Sequence, residues 1–282
     1  MAWHPDVKSM SASGHRFALV DQGDGEAVVL IHGITTYSFI WRKILPLLPA
    51  DKRVIAYDLL GCGGSDMPLD VDYSLSGHAE RLVSMLHKMG LERVHLAGHD
   101  VGGGVAQIFA VRYPEMVIDL CLINSVAYNY WPVQPIKSMQ IPIVRDFAMA
   151  ALDKGALGLI VRRGLYRKDL LDDELLELFK APLQSSIGRK AFLHFARCLD
   201  NHNLTEIADN LQNIKFPVLV IRGEADAYLS EEISLRLKRE IPNCRLLRIA
   251  TAGHFIQEDE PQQVATALVL FWNNDVVSGA VS

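Results

Sequence analysis

Short apolar runs, separated by stretches in which apolar residues recur every three or four positions, dominate this chain. Ala27-Val28-Val29-Leu30-Ile31, Arg53-Val54-Ile55-Ala56-Tyr57, Val94-His95-Leu96-Ala97 and the run from Val117 to Ile123 are near-continuous and β-rich, as strands covered on both faces should be. Val218 to Arg222 and Arg245 to Ile249 continue the series after a long gap. Between such runs, Leu75, Ala79, Leu82, Leu86 and Met89 mark one face of a helix, and Gly90 follows as its C-terminal cap. Ser230 ahead of Glu231 and Glu232 caps another helix, whose positive end the two acids complement and which stops before Pro242. Strand and helix alternate from Arg16 to about Ser125 and again from Phe216, which predicts an α/β fold with a mostly parallel, doubly wound sheet.

The alternation breaks over residues 126–211. That segment is rich in helix formers, as in the run from Leu170 to Phe179, and reads as a helical cap inserted between strands six and seven. The core is then residues 1–125 and 212–282. An insertion at this point overhangs the carboxyl ends of the strands, where ligands bind in open α/β sheets; the plainer alternative is a set of peripheral helices with no part in a site. No internal repeat, low-complexity stretch or linker is present.

The densest chemistry lies in Gly98-His99-Asp100-Val101-Gly102-Gly103, directly after the strand ending at Ala97 and before a helical run to about Tyr113. A sharp strand-to-helix turn needs small residues two positions either side of its apex, and Gly98 and Gly102 occupy them. The apex here is Asp100 rather than serine. An aspartate is already ionised near neutral pH and needs no base to make it a nucleophile. Its attack on a saturated carbon gives an ordinary ester that water can cleave, whereas attack on a carboxylic ester gives a mixed anhydride. Alkyl halides and epoxides are therefore the favoured substrates. The alternative is that Asp100 only caps the following helix. No Walker loop or dinucleotide fingerprint is present, and Gly61-Cys62-Gly63-Gly64 reads as a turn.

On such a fold the partners follow in the order acid, then histidine. Gly253-His254-Phe255 follows the strand ending at Ile249, so His254 is the expected general base. Gly223-Glu224-Ala225-Asp226 follows the preceding strand and offers two carboxylates, of which Asp226 is the choice and Glu224 the alternative. After strand six the chain reads Asn124-Ser125, with no acid. His32-Gly33 marks a loop whose backbone N–H at Ile34, with that of Val101, forms an oxyanion hole; the His32 ring itself reads as structural.

Composition narrows the partners. A formal net charge of -5 and no clustered lysine or arginine argue against nucleic acid. No apolar run reaches membrane-spanning length, and the N-terminus has neither a basic start nor an apolar core of a leader. The four scattered cysteines read as reduced thiols of a cytoplasmic protein. The histidines form no metal-ligand cluster, so neither metal nor cofactor is expected, and the partner is a small-molecule substrate of a monomer or homodimer.

Taken together, His32-Gly33, Ser38-Phe39-Ile40-Trp41-Arg42, Asp58 with Gly64-Ser65-Asp66, the Asp100 turn and the run from Gly253 to Pro261 resemble the haloalkane dehalogenase and epoxide hydrolase branch of the α/β-hydrolases, over nearly all of the chain outside the cap. The resemblance implies the fold, the cap and a two-step ester mechanism. Haloalkane dehalogenases usually carry a halide-binding Trp after the nucleophile or Asn after His-Gly; Val101 and Ile34 stand there. Epoxide hydrolases usually carry a Pro two residues after His-Gly, where this chain has Thr35, and cap tyrosines that protonate the epoxide oxygen. Tyr128, Tyr130 and Tyr166 are the candidate acids, Trp131 a candidate halide donor, and Phe255 a further pocket residue. Arg162, Arg163 and Arg167 read as a solvated helix face. Two rivals to hydrolysis at an electrophilic carbon remain: an esterase or lactonase using the same turn, and a non-catalytic receptor built on a hydrolase scaffold.

Overall fold

A computed structural model of the chain describes residues 6–132, 134, 136–141, 155–275 and 280–281; the first five residues, read above for a leader, and part of the inserted segment lie outside them. Among the described residues nine strands form one sheet: β1 (Lys8–Ala12), β2 (His15–Gln22), β3 (Glu26–Ile31), β4 (Lys52–Tyr57), β5 (Val94–Asp100), β6 (Val117–Ser125), β7 (Val218–Gly223), β8 (Cys244–Ile249) and β9 (Ala280–Val281). They lie in the order β1-β2-β4-β3-β5-β6-β7-β8-β9. The six strands from β3 to β8 are mutually parallel, while β1, β2 and β9 pair antiparallel at the edges.

The order decides where a ligand can sit. From β3 the chain moves outward to β4, then returns past β3 to β5 and proceeds the other way. Loops leaving β3 and β5 therefore diverge at their carboxyl ends and open a crevice there. Val28, Val29, Leu30 and Ile31 have no solvent exposure, because helices cover both faces of the strand.

Those helices begin where the sequence stops them from being anything else. Ser74 accepts the Gly77 N–H at the start of α1 (Leu75–Lys88), and Gly90 past its end adopts φ +68°. Helix α2 (Val101–Arg112) starts at the residue after Asp100 and is buried through Ala110. Between β6 and β7 the described residues form α3 (Ile136–Gln140), α4 (Leu157–Gly164), α5 (Asp173–Lys180), α6 (Ser186–Cys198) and α7 (His202–Ile207). Helix α5 starts later than the run from Leu170 suggests, because the Asp172 carboxylate accepts the Leu175 N–H and fixes the boundary. Ser230 caps α8 (Glu231–Glu240) as expected, and α9 (Ile256–Asp259) and α10 (Pro261–Trp272) close the chain against the sheet. Strand β1 has no apolar run to announce it; it is paired with β2 through the turn at Ser13 and Gly14, both at positive φ. Among the described residues no helix is long and apolar enough to cross a membrane.

Candidate active site

The turn at Asp100 is held by close backbone contact. A Cβ at Gly98 would stand 2.4 Å from the Gly102 carbonyl oxygen, and one at Gly102 would stand 2.4 Å from that of His32. Neither position admits a side chain, which is why the spacing of the two glycines was informative. Asp100 sits between them at φ 53°, ψ -121°. Such a conformation costs a non-glycine residue about 1–3 kcal/mol, so the surrounding packing must impose it.

The strained carboxylate is 3% exposed. The Ile34 N–H donates to Asp100 Oδ2 at 3.0 Å, and the Val101 N–H also donates to this carboxylate. Burial pushes the Asp100 pKa up to about 6, against the pull of His254 and the two backbone donors. Both donors expected from the sequence thus converge on one side chain. The His32 ring accepts the Leu59 N–H at Nε2 and donates from Nδ1 to the Gly33 carbonyl, and burial holds its pKa down to about 4. It braces the loop as a neutral ring.

His254 Nδ1 lies 3.0 Å from Asp226 Oδ2. Asp226 Oδ1 in turn accepts the N–H groups of Tyr228 and Leu229 at 2.8 and 3.1 Å. Burial works against ionisation of both partners, yet their mutual attraction and hydrogen bonds prevail: His254 is raised above 6.5 and Asp226 lowered below 3.8. Glu224, the alternative acid, points elsewhere and forms an ion pair with Arg248. Asp226 is the carboxylate that meets the imidazole.

Backbone ties fix the histidine loop. The Asn124 side-chain amide donates to the carbonyls of Gly253 and His254 at 2.9 and 3.0 Å and accepts the Gly223 N–H, joining the ends of β6 and β7 to the loop. His99 Nε2 donates to the same His254 carbonyl at 2.9 Å, and burial holds this ring's pKa down to about 3. The buried Asp259 carboxylate accepts N–H groups from Gly253 on one side and from Tyr166 and Arg167, just past α4, on the other.

Asp100 and His254 face one cavity of about 450 Å³, part of it open to solvent, within the usual size range for small-molecule sites. Trp131 and Phe255 line it, as does Ile34. The three tyrosines named above do not. The Arg236 guanidinium lies over the Tyr128 ring, 3.8 Å from its centre, so α8 has captured it; Tyr130 packs on Tyr128. Tyr166 is an exposed side chain whose backbone, rather than its ring, serves the site. Tyr228 was not foreseen and lines the cavity, its ring 5.2 Å from that of His254 and its hydroxyl donating to the Ile160 carbonyl. Among the described residues no group of histidine, cysteine and acidic side chains could hold a metal ion.

The alpha/beta hydrolase fold family matches residues 26–261. A cis-3-alkyl-4-alkyloxetan-2-one decarboxylase from Shewanella oneidensis is 26% identical over 93% of this chain and 86% of its own length. Epoxide hydrolase 2 of Caenorhabditis elegans is 26% identical, covering 96% of this chain and 83% of that protein. Haloalkane dehalogenase 2 of Mycobacterium bovis is 27% identical, with 92% of each chain covered. A match spanning the six parallel strands, the Asp100 turn and the histidine loop alike leaves one conclusion: the chain belongs to the alpha/beta hydrolase fold family, with epoxide hydrolases and haloalkane dehalogenases among its relatives, and is an enzyme of that family.

Proposed function

We propose that the enzyme hydrolyses a small apolar molecule at an electrophilic carbon, an epoxide or a haloalkane, through an ester formed on Asp100. The observation that carries this reading is a carboxylate at the apex of the turn, held by backbone N–H donors and sharing its cavity with a His254–Asp226 pair. Oδ2 is engaged by Ile34, which leaves Oδ1 to attack. A carbon–oxygen bond forms as the carbon–halogen or epoxide carbon–oxygen bond breaks, and its electrons leave on the halide or ring oxygen. His254 then takes a proton from water, whose oxygen adds to the ester carbonyl; the charge that develops on Oδ2 is met by the N–H groups of Ile34 and Val101. Collapse expels the alkoxide, which takes the proton held by His254 and leaves as the alcohol or diol; Asp100 then loses its proton to water and is restored as the carboxylate. Asp226 holds the imidazole in the tautomer that leaves its other nitrogen free to accept a proton.

The leaving-group side is served by Trp131, whose indole N–H is the donor a halide would need. Tyr228 has already committed its hydroxyl to Ile160, and burial pushes its pKa up to about 12.

Intact-protein mass spectrometry of His254→Gln with a panel of epoxides and haloalkanes tests the reading. Attack proceeds in this variant while hydrolysis stalls, so an adduct on Asp100 accumulates, as a hydroxyalkyl ester from an epoxide and a plain alkyl ester from a haloalkane. No adduct from any member, with wild type cleaving carboxylic esters, would transfer the site to ester hydrolysis.

A further inference from the structure

A second cavity, of about 340 Å³, lies beneath the inserted helices, between the turn at Gly61 and Cys62 and the side chains of Phe179, Leu183 and Phe192. No charged residue lines it, and burial pushes the Cys62 thiol pKa up, so that the thiol stays neutral. Thr35 borders both this cavity and the one holding Asp100. The rest of the partition is aromatic. Phe179 on the far side meets Phe255 on the near side edge-to-face, ring centroids 4.9 Å apart, and Phe39 backs Phe179 at 5.1 Å. Two apolar spaces therefore adjoin at Thr35, divided elsewhere by the rings of Phe179 and Phe255.

We propose that the second cavity binds a second apolar arm of the substrate, so that the enzyme takes compounds carrying hydrocarbon on both sides of the reacting carbon. This rests on the reading that the reacting carbon sits at Asp100. An apolar, uncharged lining suits a hydrocarbon chain and offers little to a polar head group or a file of water. Thr35, at positive φ next to the Ile34 donor, then marks the point where the two arms part.

Titration calorimetry with inert symmetric secondary alcohols tests the proposal on the intact enzyme. From pentan-3-ol to heptan-4-ol to nonan-5-ol, each step adds one methylene to each arm. Affinity should rise about fifteenfold per step when both arms are buried and about fourfold when only one is. Leu183→Trp, a filling change at a partly buried site, should reduce the step to about fourfold while leaving pentan-3-ol binding unchanged. Cys62→Leu should do the same from the opposite wall. A wild-type step of about fourfold, or a fifteenfold step untouched by both substitutions, would overturn the proposal. Calorimetry needs no turnover, so failure to find an Asp100 adduct would sink the mechanistic reading and still leave these slopes to decide about the cavity.

Discussion

The same sheet carries a buried histidine–aspartate pair at each end, and one of them lies beside the cavity that holds Asp100. At the amino ends of β5 and β6, His95 Nδ1 lies 2.7 Å from Asp119 Oδ2; at the carboxyl ends of β7 and β8, His254 meets Asp226 at 3.0 Å. The first pair is the shorter of the two. Its outer nitrogen, however, is covered by Lys52 and Glu26, each 3.5 Å away, and the ring lies against Trp272. The second pair stands in the crevice created where strand order reverses, beside a strained carboxylate. A histidine bonded to an aspartate is thus not a site by itself. What sets the second pair apart is a topology that leaves its histidine facing a cavity beside Asp100.

Substitutions can break this contrast. Asp100→Asn should lower turnover of any epoxide or haloalkane substrate at least about 10⁴-fold in steady-state assays, as loss of a nucleophile does. Its thermal unfolding should move the other way. Burial lifts the Asp100 pKa from 3.8 to about 6, so holding it ionised in the folded state costs up to about 3 kcal/mol. That cost is fully present above the folded value, shrinks as pH falls, and vanishes below the unfolded one, so the gain in Tm should be clear at pH 8 and absent near pH 3.

The two aspartates should then part company. Asp226→Asn should cut kcat about 10³- to 10⁴-fold through the wrong imidazole tautomer. Asp119→Asn should leave kcat within about twofold and lower stability by about 1–3 kcal/mol, read by calorimetric melting. A large loss of kcat in Asp119→Asn would abolish the distinction between the two ends.

The smallest effect is a separation of pH limbs. His254 is raised above 6.5 against burial, with Asp226 the larger cause and the one that persists once Asp100 is esterified, and it accepts a proton only when neutral, so ester hydrolysis should fall as pH drops through its raised value. Ionisation of Asp100 persists down to about 6. Rapid-quench mass measurements on wild type should therefore find ester accumulating between the two limbs and none above them.

Much of this was legible in the chain. The Asp100 turn announced itself because its glycines answer a steric demand that no other residue meets, and strands β3 to β8 because burial on both faces requires unbroken apolar runs. Strand β1 was not legible, since its Lys8-Ser9-Met10-Ser11 stretch is polar and its pairing depends on the turn beyond it. For the tyrosines, sequence supplied the hydroxyls without their directions. Arg236, more than a hundred positions away, decides where Tyr128 lies. Tyr228 did leave a signal in its spacing: an aspartate that accepts the N–H two residues on folds the chain tightly enough to bring that ring over His254.

The Asp259 carboxylate has a kinetic consequence. It gathers N–H groups from Tyr166 and Arg167 beside α4 and from Gly253 beside the histidine, while the Phe255 N–H donates to the Gly164 carbonyl. A rigid hinge at this junction would strand buried donors, at about 1–3 kcal/mol for each one left unmade. It would also unseat His254 at the moment substrate arrived. Any movement of α4 away from the histidine loop at this corner therefore carries that cost before substrate can pass.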